Sequence, residues 1–259
     1  MTLKELYDKI ETYLDKEVEL KGWIRRHRKQ KEFGFIDFSD GTCFTHMQIV
    51  YDKESSKNYD QIESLKHGSA IRVVGKVVKS EGKGQQYEIK AKEITLEGDC
   101  DDDYPLQPKQ HSREFLREIG YLRPRANLFQ AVFRIRSVAA MAIHTYFQEK
   151  GFVYLHAPLI TASDCEGAGE MFQVTTLDLE KVAKTGKVDY SKDFFGKPTS
   201  LTVSGQLQGE TFALAFRNIY TFGPTFRAEN SNTKTHASEF WMIEPEMAFC
   251  DLEELMDVE

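Results

Sequence analysis

The sequence predicts an α+β protein of two domains, a small β-barrel followed by an antiparallel sheet flanked by helices. Short segments of alternating apolar and polar residues fill roughly the first hundred positions. An acidic, proline-containing stretch follows, and the remainder combines a long amphipathic helix with a charged hairpin. A chain of 259 residues with 41% hydrophobic content can bury a full core, and this length suits two domains.

Composition limits the possible classes of function. Lysine and arginine number 34 against 41 aspartates and glutamates, so the net charge of -7 excludes a globally basic nucleic-acid coat. Apolar runs of membrane-spanning length are missing, and the start MTLKELYDKIETYL predicts an amphipathic helix rather than a signal peptide. The four cysteines form no CxxC pair, and no HExxH-like metal motif occurs, so we expect reduced thiols in a cytoplasmic protein.

Residues 1–97 predict the barrel domain, with the amphipathic helix at its start. A helix near Tyr59–Lys66 falls between the third and fourth strands. Five strands with one interposed helix indicate an OB-fold barrel. The predicted strands are Val18–Arg28, Phe33–Ser39, Thr42–Val50, Ile71–Lys79 and Gln86–Leu96.

A local basic run stands out against the acidic balance of the chain. KGWIRRHRKQK holds six lysines or arginines between Lys21 and Lys31. Beside it, FGFIDF places Phe33 and Phe35 on one face of a strand and Ile36 and Phe38 on the other. One of these faces belongs to the core. The other is either a surface aromatic pair beside a solvated charge run or a surface for single-stranded RNA, where bases stack on aromatics and cations follow phosphates. The pattern alone leaves both open.

Residues 98–111, GDCDDDYPLQPKQH, predict a linker, because four aspartates in five residues followed by two prolines cannot form a core element. The second domain then spans 112–259. Its strongest helix is predicted over Asn127–Lys150, and Gly151 stands where a left-handed cap would end it. A strand over Phe152–Thr161, with Pro158 inside it, is expected next.

The most charged stretch is Tyr220–Phe249, which predicts a hairpin. Arg227 and Glu229 alternate onto one face of its first strand, and Asn230–Ser238 has loop composition. A proline at 245 predicts an edge or a bulge in the return strand. That strand places Phe240, Met242, Glu244 and Glu246 on one face. An exposed, salt-bridged hairpin is the ordinary explanation, but this much charge cannot be buried without a ligand or internal partners.

The string FRAENSNT…H…EFWMIEPEMAF resembles motif 2 of the class II aminoacyl-tRNA synthetases, and its wording is similar to the asparaginyl members. Aspartyl relatives usually carry Asp where Glu244 stands. The helix and proline-containing strand resemble motif 1, the barrel resembles the anticodon-binding barrel of the aspartyl, asparaginyl and lysyl subclass, and PLQPKQHS resembles its hinge. Nothing matches motif 3, so we expect an N-terminal portion with an incomplete synthetase sheet domain, whose activity by itself is in doubt.

The resemblance implies ATP-dependent activation of L-asparagine to asparaginyl-adenylate and transfer to tRNA(Asn), with Mg²⁺ screening the phosphates. It assigns Arg227 to the α-phosphate, Glu229 to the adenine side and His236 to the outer phosphates; these three are the implied catalytic residues. Thr235 stands where the family loop has an arginine, which moves that phosphate contact to Lys234. The implied ATP site is Arg227, Ala228, Glu229, Thr235, His236 and Phe240, the last stacking on adenine.

The same resemblance implies the other sites. In TASDCEGAGEMF, a mobile loop over the amino-acid pocket, Glu166 would meet the substrate ammonium, and Gly169 replaces an arginine of the aspartyl relatives. Ser204 and Gln206 would lie on a strand lining the pocket. Pro158 would lie at a homodimer interface made by motif 1. The implied anticodon contacts are Arg26, Arg28, Phe35 and Gln48, with Phe35 stacking on a base and Gln48 reading a base edge.

Glu244 is the expected specificity residue. Asparagine and aspartate are nearly isosteric, so pocket volume cannot separate them, whereas a carboxylate accepts a bond from the asparagine amide and repels aspartate. Two alternatives stay open: an aspartyl enzyme of the same subclass, and a non-catalytic tRNA-binding fragment. An asparagine synthetase built on the same catalytic fold is disfavoured, because it has no use for an anticodon-type barrel.

Overall fold

The computed structural model describes residues 1–82, 84–165, 167, 170–231, 233 and 235–258. The chain forms two compact units, Met1–Arg136 and Ser137–Glu259. The division falls inside the long helix, so residues 98–136 belong to the first unit. The predicted domain limits at 97 and 112 stay predictions.

The first unit contains a closed five-stranded barrel with the strand order β1-β2-β3-β5-β4. Neighbouring strands are antiparallel except β3 and β5, which are parallel. The strands are β1 (Glu17–Lys29), β2 (Phe33–Ser39), β3 (Met47–Asp52), β4 (Ala70–Lys79) and β5 (Tyr87–Gly98). Helix α3 (Tyr59–Ser64) lies between β3 and β4, so the predicted barrel with one interposed helix is confirmed.

Alternation of side chains builds the barrel core. Ile24, Ile36 and Phe38 are fully buried, while Phe33 and Phe35 lie on the outer face of β2. One strand boundary of the barrel differs from its prediction by more than two residues. The third strand begins at Met47 rather than Thr42, because the Asp40 carboxylate accepts hydrogen bonds from Thr42 N (2.9 Å) and Leu3 N (2.6 Å) and closes a loop there.

The start of the chain forms two short helices, α1 (Leu3–Asp8) and α2 (Ile10–Tyr13), instead of one. Beyond the barrel, α4 (Arg113–Glu118) and a 3₁₀ turn (Arg123–Arg125) follow. A small apolar cluster of Leu106, Leu116 and Leu122 holds this region together.

Helix α5 (Asn127–Glu149) agrees with its prediction to within one residue, and Gly151 ends it with a φ of +80°. The second unit contains two three-stranded sheets with the orders β11-β10-β6 and β7-β9-β8. Their strands are β6 (Val153–Leu155), β7 (Ile160–Thr161), β8 (Gln173–Val174), β9 (Thr199–Leu201), β10 (Asn218–Phe226) and β11 (Glu239–Met247). The helices are α6 (Leu179–Thr185), α7 (Gln206–Phe216) and α8 (Leu252–Val258), with a 3₁₀ turn at Tyr190–Lys192.

Two strand predictions in this unit are wrong in detail. The single strand Phe152–Thr161 is two, β6 and β7, which pair in different sheets on either side of Pro158. Ser204 and Gln206 do not lie on a strand: β9 ends at Leu201, and the Thr202 hydroxyl bonds the backbone of Ser204 to make a turn before α7. The prediction of an edge or a bulge at Pro245 is confirmed as an edge, because β11 is an edge strand of the described sheet and keeps its register.

The core of the second unit is aromatic. Phe147 of α5 stacks on Tyr220 of β10 with ring centroids 4.7 Å apart, and Phe152 and Phe222 complete the cluster. Tyr220 is fully buried, so β10 is fixed against α5.

In the described part of the chain, no helix has the length and apolarity needed to cross a membrane.

Candidate functional site

The hairpin of β10 and β11 keeps continuous register from Asn218 opposite Met247 to Phe226 opposite Glu239. Arg227 and Glu229 therefore lie just beyond the end of β10, in the loop, rather than on the strand as predicted. The loop encloses a cleft of about 280 Å³. Its lining residues are Arg227, Glu229, Ser231, Thr235, His236, Ala237, Ser238 and Phe240.

Arg227 and Phe240 lie side by side in the lining of this cleft. The Arg227 guanidinium carbon is 5.5 Å from the centroid of the Phe240 ring, and the Arg227 backbone N–H donates to the Ser238 carbonyl (3.1 Å). Ala228 N donates to the Glu170 carbonyl (2.8 Å), which ties the loop to the segment before β8. A cation beside an aromatic face, open to a cleft, suits a ligand with a flat ring and an anionic group.

His236 is held at the other side of the loop, where its Nδ1 forms a hydrogen bond with the Thr233 hydroxyl. Arg227, Glu229, Thr235, His236 and Phe240 are thus brought together, with Ala228 between two of them in sequence. Lys234 lies outside the described residues, so the structure does not place the expected phosphate contact there. Thr233 was not singled out from the sequence, because a threonine in a polar loop carries no distinguishing pattern.

Glu244 lies on β11, and its carboxylate is fixed by neutral donors. Oε1 accepts from the Ser204 hydroxyl and from Gly205 N (3.3 Å). Oε2 accepts from Gly205 N (3.1 Å) and from the Thr221 hydroxyl (2.7 Å). Ser204 is 1% exposed and Thr221 is 4% exposed, so these donors cannot move freely. The carboxylate borders a cavity of about 270 Å³ whose other walls include Tyr154 and Trp241.

Two of these donors were missed by sequence reasoning. Thr221 is paired with Glu244 in the hairpin. Counting the paired residues of β10 and β11 outward from the loop would have identified Thr221 as the neighbour of Glu244. Gly205 approaches Thr221 so closely that an added Cβ would lie 2.9 Å from the threonine side chain. Only a glycine lets the backbone N–H reach the carboxylate at this distance.

Gln206, the first residue of α7, is close to this cluster but its amide points elsewhere. Its backbone N–H donates to the Ser204 hydroxyl oxygen (3.0 Å), whereas its Nε2 donates to Glu210 (2.9 Å).

Burial, and then the nearby Glu210 and Glu244 carboxylates, raise the pKa of Glu246. Glu166, the fourth predicted amino-acid contact, lies outside the described residues.

The four predicted anticodon residues share the outer surface of the barrel. The Arg28 guanidinium carbon is 5.1 Å from the Phe35 ring centroid, and its Nη2 donates to Gln48 Oε1 (3.1 Å). Gln48 in turn donates through Nε2 to Glu88 (3.0 Å), so its amide is held in one orientation. Arg26, Arg28 and Gln48 border a groove of about 840 Å³. Glu88 was not predicted, because one acidic residue in a strand gives no signal.

Metal ligands and thiols add no further site. Within the part of the chain that is described, no group of three or more His, Cys, Asp or Glu side chains could hold a metal ion. The four cysteines, Cys43, Cys100, Cys165 and Cys250, are free thiols.

Comparison with known families assigns both parts of the chain. The model of the OB-fold nucleic acid binding domain matches residues 18–97, and that of the class II tRNA synthetases (D, K and N) matches residues 112–259. The chain belongs to the class II tRNA synthetases. The predicted family and the predicted fold class are therefore confirmed.

Similar curated synthetases are named asparagine–tRNA ligase. The one from Acholeplasma laidlawii is 57% identical over 260 residues, which cover 100% of this chain and 56% of the relative. The one from Clostridium novyi is 58% identical over 258 residues, or 99% of this chain and 56% of the relative. The chain spans about half the length of the curated relatives that it matches.

Solved synthetase structures share the fold. The asparaginyl-tRNA synthetase of Pyrococcus horikoshii complexed with asparaginyl-adenylate has a TM-score of 0.79 at 24% identity, covering 95% of this chain and 53% of that chain. The asparaginyl-tRNA synthetase of Entamoeba histolytica has a TM-score of 0.77 at 21% identity, covering 94% and 53%.

Proposed function

We propose that this synthetase chain works in an asparagine–tRNA ligase, which activates L-asparagine with ATP and transfers it to tRNA(Asn) in the cytoplasm. The observation that carries the proposal is the Glu244 carboxylate, fixed by Ser204, Gly205 and Thr221 on the same hairpin whose loop forms the Arg227–Phe240 cleft. Curated relatives named asparagine–tRNA ligase, 55–58% identical over nearly the whole chain, support it.

ATP is assigned to the hairpin-loop cleft. Asparagine brings its own nucleophile, the carboxylate, so the site needs to align the reactants and neutralise charge that grows on the α-phosphate. Arg227 suits this role because a planar guanidinium holds two phosphate oxygens in fixed geometry. Phe240, next to Arg227, offers a face for adenine, with Glu229 on the adenine side and His236 towards the outer phosphates. Ala228 and Thr235 contribute loop backbone and a hydroxyl.

Mg²⁺ is the metal that the family implies. The described residues contain no cluster of three metal-binding side chains, so we assign no residue to Mg²⁺ and derive no step from it.

Glu244 supplies the choice between asparagine and aspartate. Its carboxylate accepts a hydrogen bond from the substrate amide, whereas an aspartate carboxylate at about 4 Å would be repelled by roughly 4 kcal/mol at an effective dielectric of about 20. That energy corresponds to about 10³-fold in rate. Ser204 belongs to the same site as a donor to Glu244, and Gln206 and Glu166 complete the proposed amino-acid contacts.

The barrel is assigned to the anticodon of tRNA(Asn). Phe35 presents a face on which a base can stack, and Gln48, held by Arg28 and Glu88, presents a fixed amide edge. Arg26 and Arg28 supply positive charge for the backbone phosphates.

The segment containing α5 and Pro158 is proposed as the homodimer interface. Ile135, Val138 and Met141 of α5 are 68%, 71% and 63% exposed. A helix face of this apolarity is stabilised when a second copy covers it.

The test is exchange of pyrophosphate into ATP, with L-asparagine or L-aspartate as the substrate. We expect exchange with asparagine only, and we expect Glu244→Gln to lower the preference for asparagine by up to about 10³-fold, since the repulsion of aspartate is lost. An unchanged preference in this variant would contradict the role of Glu244.

A second function, tRNA binding without catalysis, has one observation in its favour: the barrel to which the anticodon contacts are assigned is closed. Binding of tRNA(Asn) without any pyrophosphate exchange in this chain would select it.

A further inference from the structure

Arg25 has no part in the function proposed above, and the barrel gives it an unusual position. In the pairing of β1 with β2, Ile24 lies opposite Phe38 and Arg26 lies opposite Asp37, so the register shifts at Arg25. An extra residue of this kind forms a β-bulge, which turns a side chain out of the regular alternation of the strand. Arg25 is accordingly half-buried beside the fully buried Ile24.

The redirected Arg25 side chain lines a cavity of about 870 Å³ between the barrel and the segment 104–128, all within the unit Met1–Arg136. Five arginine and lysine side chains and three histidines line the cavity, against the two carboxylates of Asp37 and Glu114. Asp37 is already engaged by His46 at 3.0 Å. In a chain with more acidic than basic residues, this local excess of positive charge attracts an anion.

His67 is held by the protein itself, since its Nε2 is 2.5 Å from the Leu106 carbonyl oxygen and the ring also forms a hydrogen bond with the Arg25 backbone. The Arg25 guanidinium has fewer partners among the described residues. Its Nη1 donates to the Arg125 carbonyl at 3.5 Å, and its buried Nε makes no hydrogen bond. A buried charged donor without an acceptor is costly, so an acceptor in this cavity would be favourable.

Tyr104 holds Arg125 and the His67 ring close together. The Arg125 guanidinium carbon and the His67 ring centroid each lie 5.7 Å from the centroid of the Tyr104 ring, and Arg125 Nη1 donates to the Tyr104 hydroxyl oxygen (3.3 Å). Gly68 permits this packing, because an added Cβ would lie 2.8 Å from Cys100 Sγ and 3.1 Å from Tyr104. Burial lowers the pKa of Arg25, and the positive charge of Arg125 adds to the effect.

We propose that this cavity binds a phosphate group, with the Arg25 guanidinium as its central donor and with Arg125 supplying neighbouring charge. A guanidinium matches the oxygens of phosphate better than a lysine ammonium does. Inorganic phosphate and a phosphodiester of RNA present the same chemistry. In the RNA case, the inference rests on the proposed function and adds a tRNA contact at the junction of barrel and linker.

The experiment compares Arg25→Gln with Lys21→Gln in the 259-residue chain. Lys21 is exposed on the same strand and does not line the cavity, so it controls for the loss of one positive charge. Inorganic phosphate and a tRNA(Asn) transcript are the two probes. Phosphate binding is measured as a rise in the midpoint of thermal unfolding, and tRNA binding as the dissociation constant across salt concentrations.

If the source is free phosphate, it stabilises the wild type and Lys21→Gln but not Arg25→Gln. If the source is RNA, Arg25→Gln weakens tRNA binding about 5-fold more than Lys21→Gln does and lowers the salt slope by about one. Equal behaviour of the two variants towards both probes overturns the proposal. Arg125→Gln repeats the comparison in case Arg25→Gln fails to fold. Pyrophosphate exchange requires no tRNA, so its failure would remove the proposed function and leave the phosphate result intact.

Discussion

The orientation of the Glu244 carboxylate depends on two buried hydroxyl groups. The buried Thr221 hydroxyl donates to Oε2, and the buried Ser204 hydroxyl donates to Oε1. Because both oxygens accept hydrogen bonds, the Glu244 carboxylate cannot rotate. It therefore presents its negative charge to the cavity in one fixed orientation. Thr221 is therefore a positioning residue for specificity, and its hydroxyl is the group to remove.

We predict that Thr221→Val, which keeps the shape of the side chain, lowers the preference for asparagine over aspartate, whereas Thr221→Ser restores it. Loss of a hydrogen bond to a charged group also costs about 1.5–3 kcal/mol of stability. Pyrophosphate exchange with each amino acid gives the preference, and urea unfolding gives the stability. A merely structural role for Thr221 would lower stability in the valine variant without changing the ratio of the two exchange rates.

The sequence predicted the candidate site better at its charged residues than at their supports. Arg227, Glu229, His236 and Phe240 were identified through a long motif, and the structure brings them to one cleft. Thr221 and Gly205 were missed, because their roles come from register and close approach, which single residue types do not reveal. Gln206 was placed on a strand, although Gly205 and the Thr202 turn begin a helix there.

At the scale of elements, the barrel strands were predicted well because their two faces differ so clearly in burial. Where β2 pairs with β3, the space beside one residue, Gly34, is too small for any side chain. Gly34 lies opposite Tyr51, and a Cβ added at Gly34 would lie 2.2 Å from the Tyr51 hydroxyl oxygen. Tyr51 cannot yield, because it is fully buried and bonds to His27 Nε2 (2.7 Å) and Glu63 (2.5 Å).

Gly34→Ala should therefore destabilise the barrel by about 1–3 kcal/mol, the usual cost of overpacking. Gly98→Ala is the matched control, since its added Cβ would make only an ordinary 3.7 Å contact with Ala70 in the same barrel. Urea unfolding of the two variants is the measurement. Similar midpoints for both would show that Tyr51 can move aside.

The short strands of the second unit could not be predicted in the same way. β6, β7 and β8 contain three residues or fewer, too few for an alternation to be read from the sequence. The segment between β8 and β9, which contains α6, likewise depends on one side chain, Asp193. The Asp193 carboxylate accepts from Thr175, Thr176 and Phe194 N, and these bonds lower its pKa. Such a contact becomes visible only when the chain is folded.

At the scale of the whole molecule, two histidines make the stability of the first compact unit depend on pH. Burial lowers the pKa of His27 and of His67, and both lie in the first unit. The folded unit therefore binds protons on these rings less readily than the unfolded chain does, in which histidines titrate at about pH 6.5. The unfolded state therefore binds more protons, and the free energy of unfolding rises with pH in this range.

We predict that the first unit loses stability as the pH falls from 7 to 5, before most carboxylates titrate. The His27→Gln variant should show a shallower dependence, by up to one proton, than the wild type. Denaturant unfolding at several pH values measures the slope, and His111→Gln, which removes a half-buried histidine of the same unit, is the comparison variant. If stability is flat over this range in the wild type, then the histidines are protonated inside the fold. In that case both ring nitrogens of His27 would donate hydrogen bonds, one to the Leu65 carbonyl and one to the Tyr51 hydroxyl oxygen.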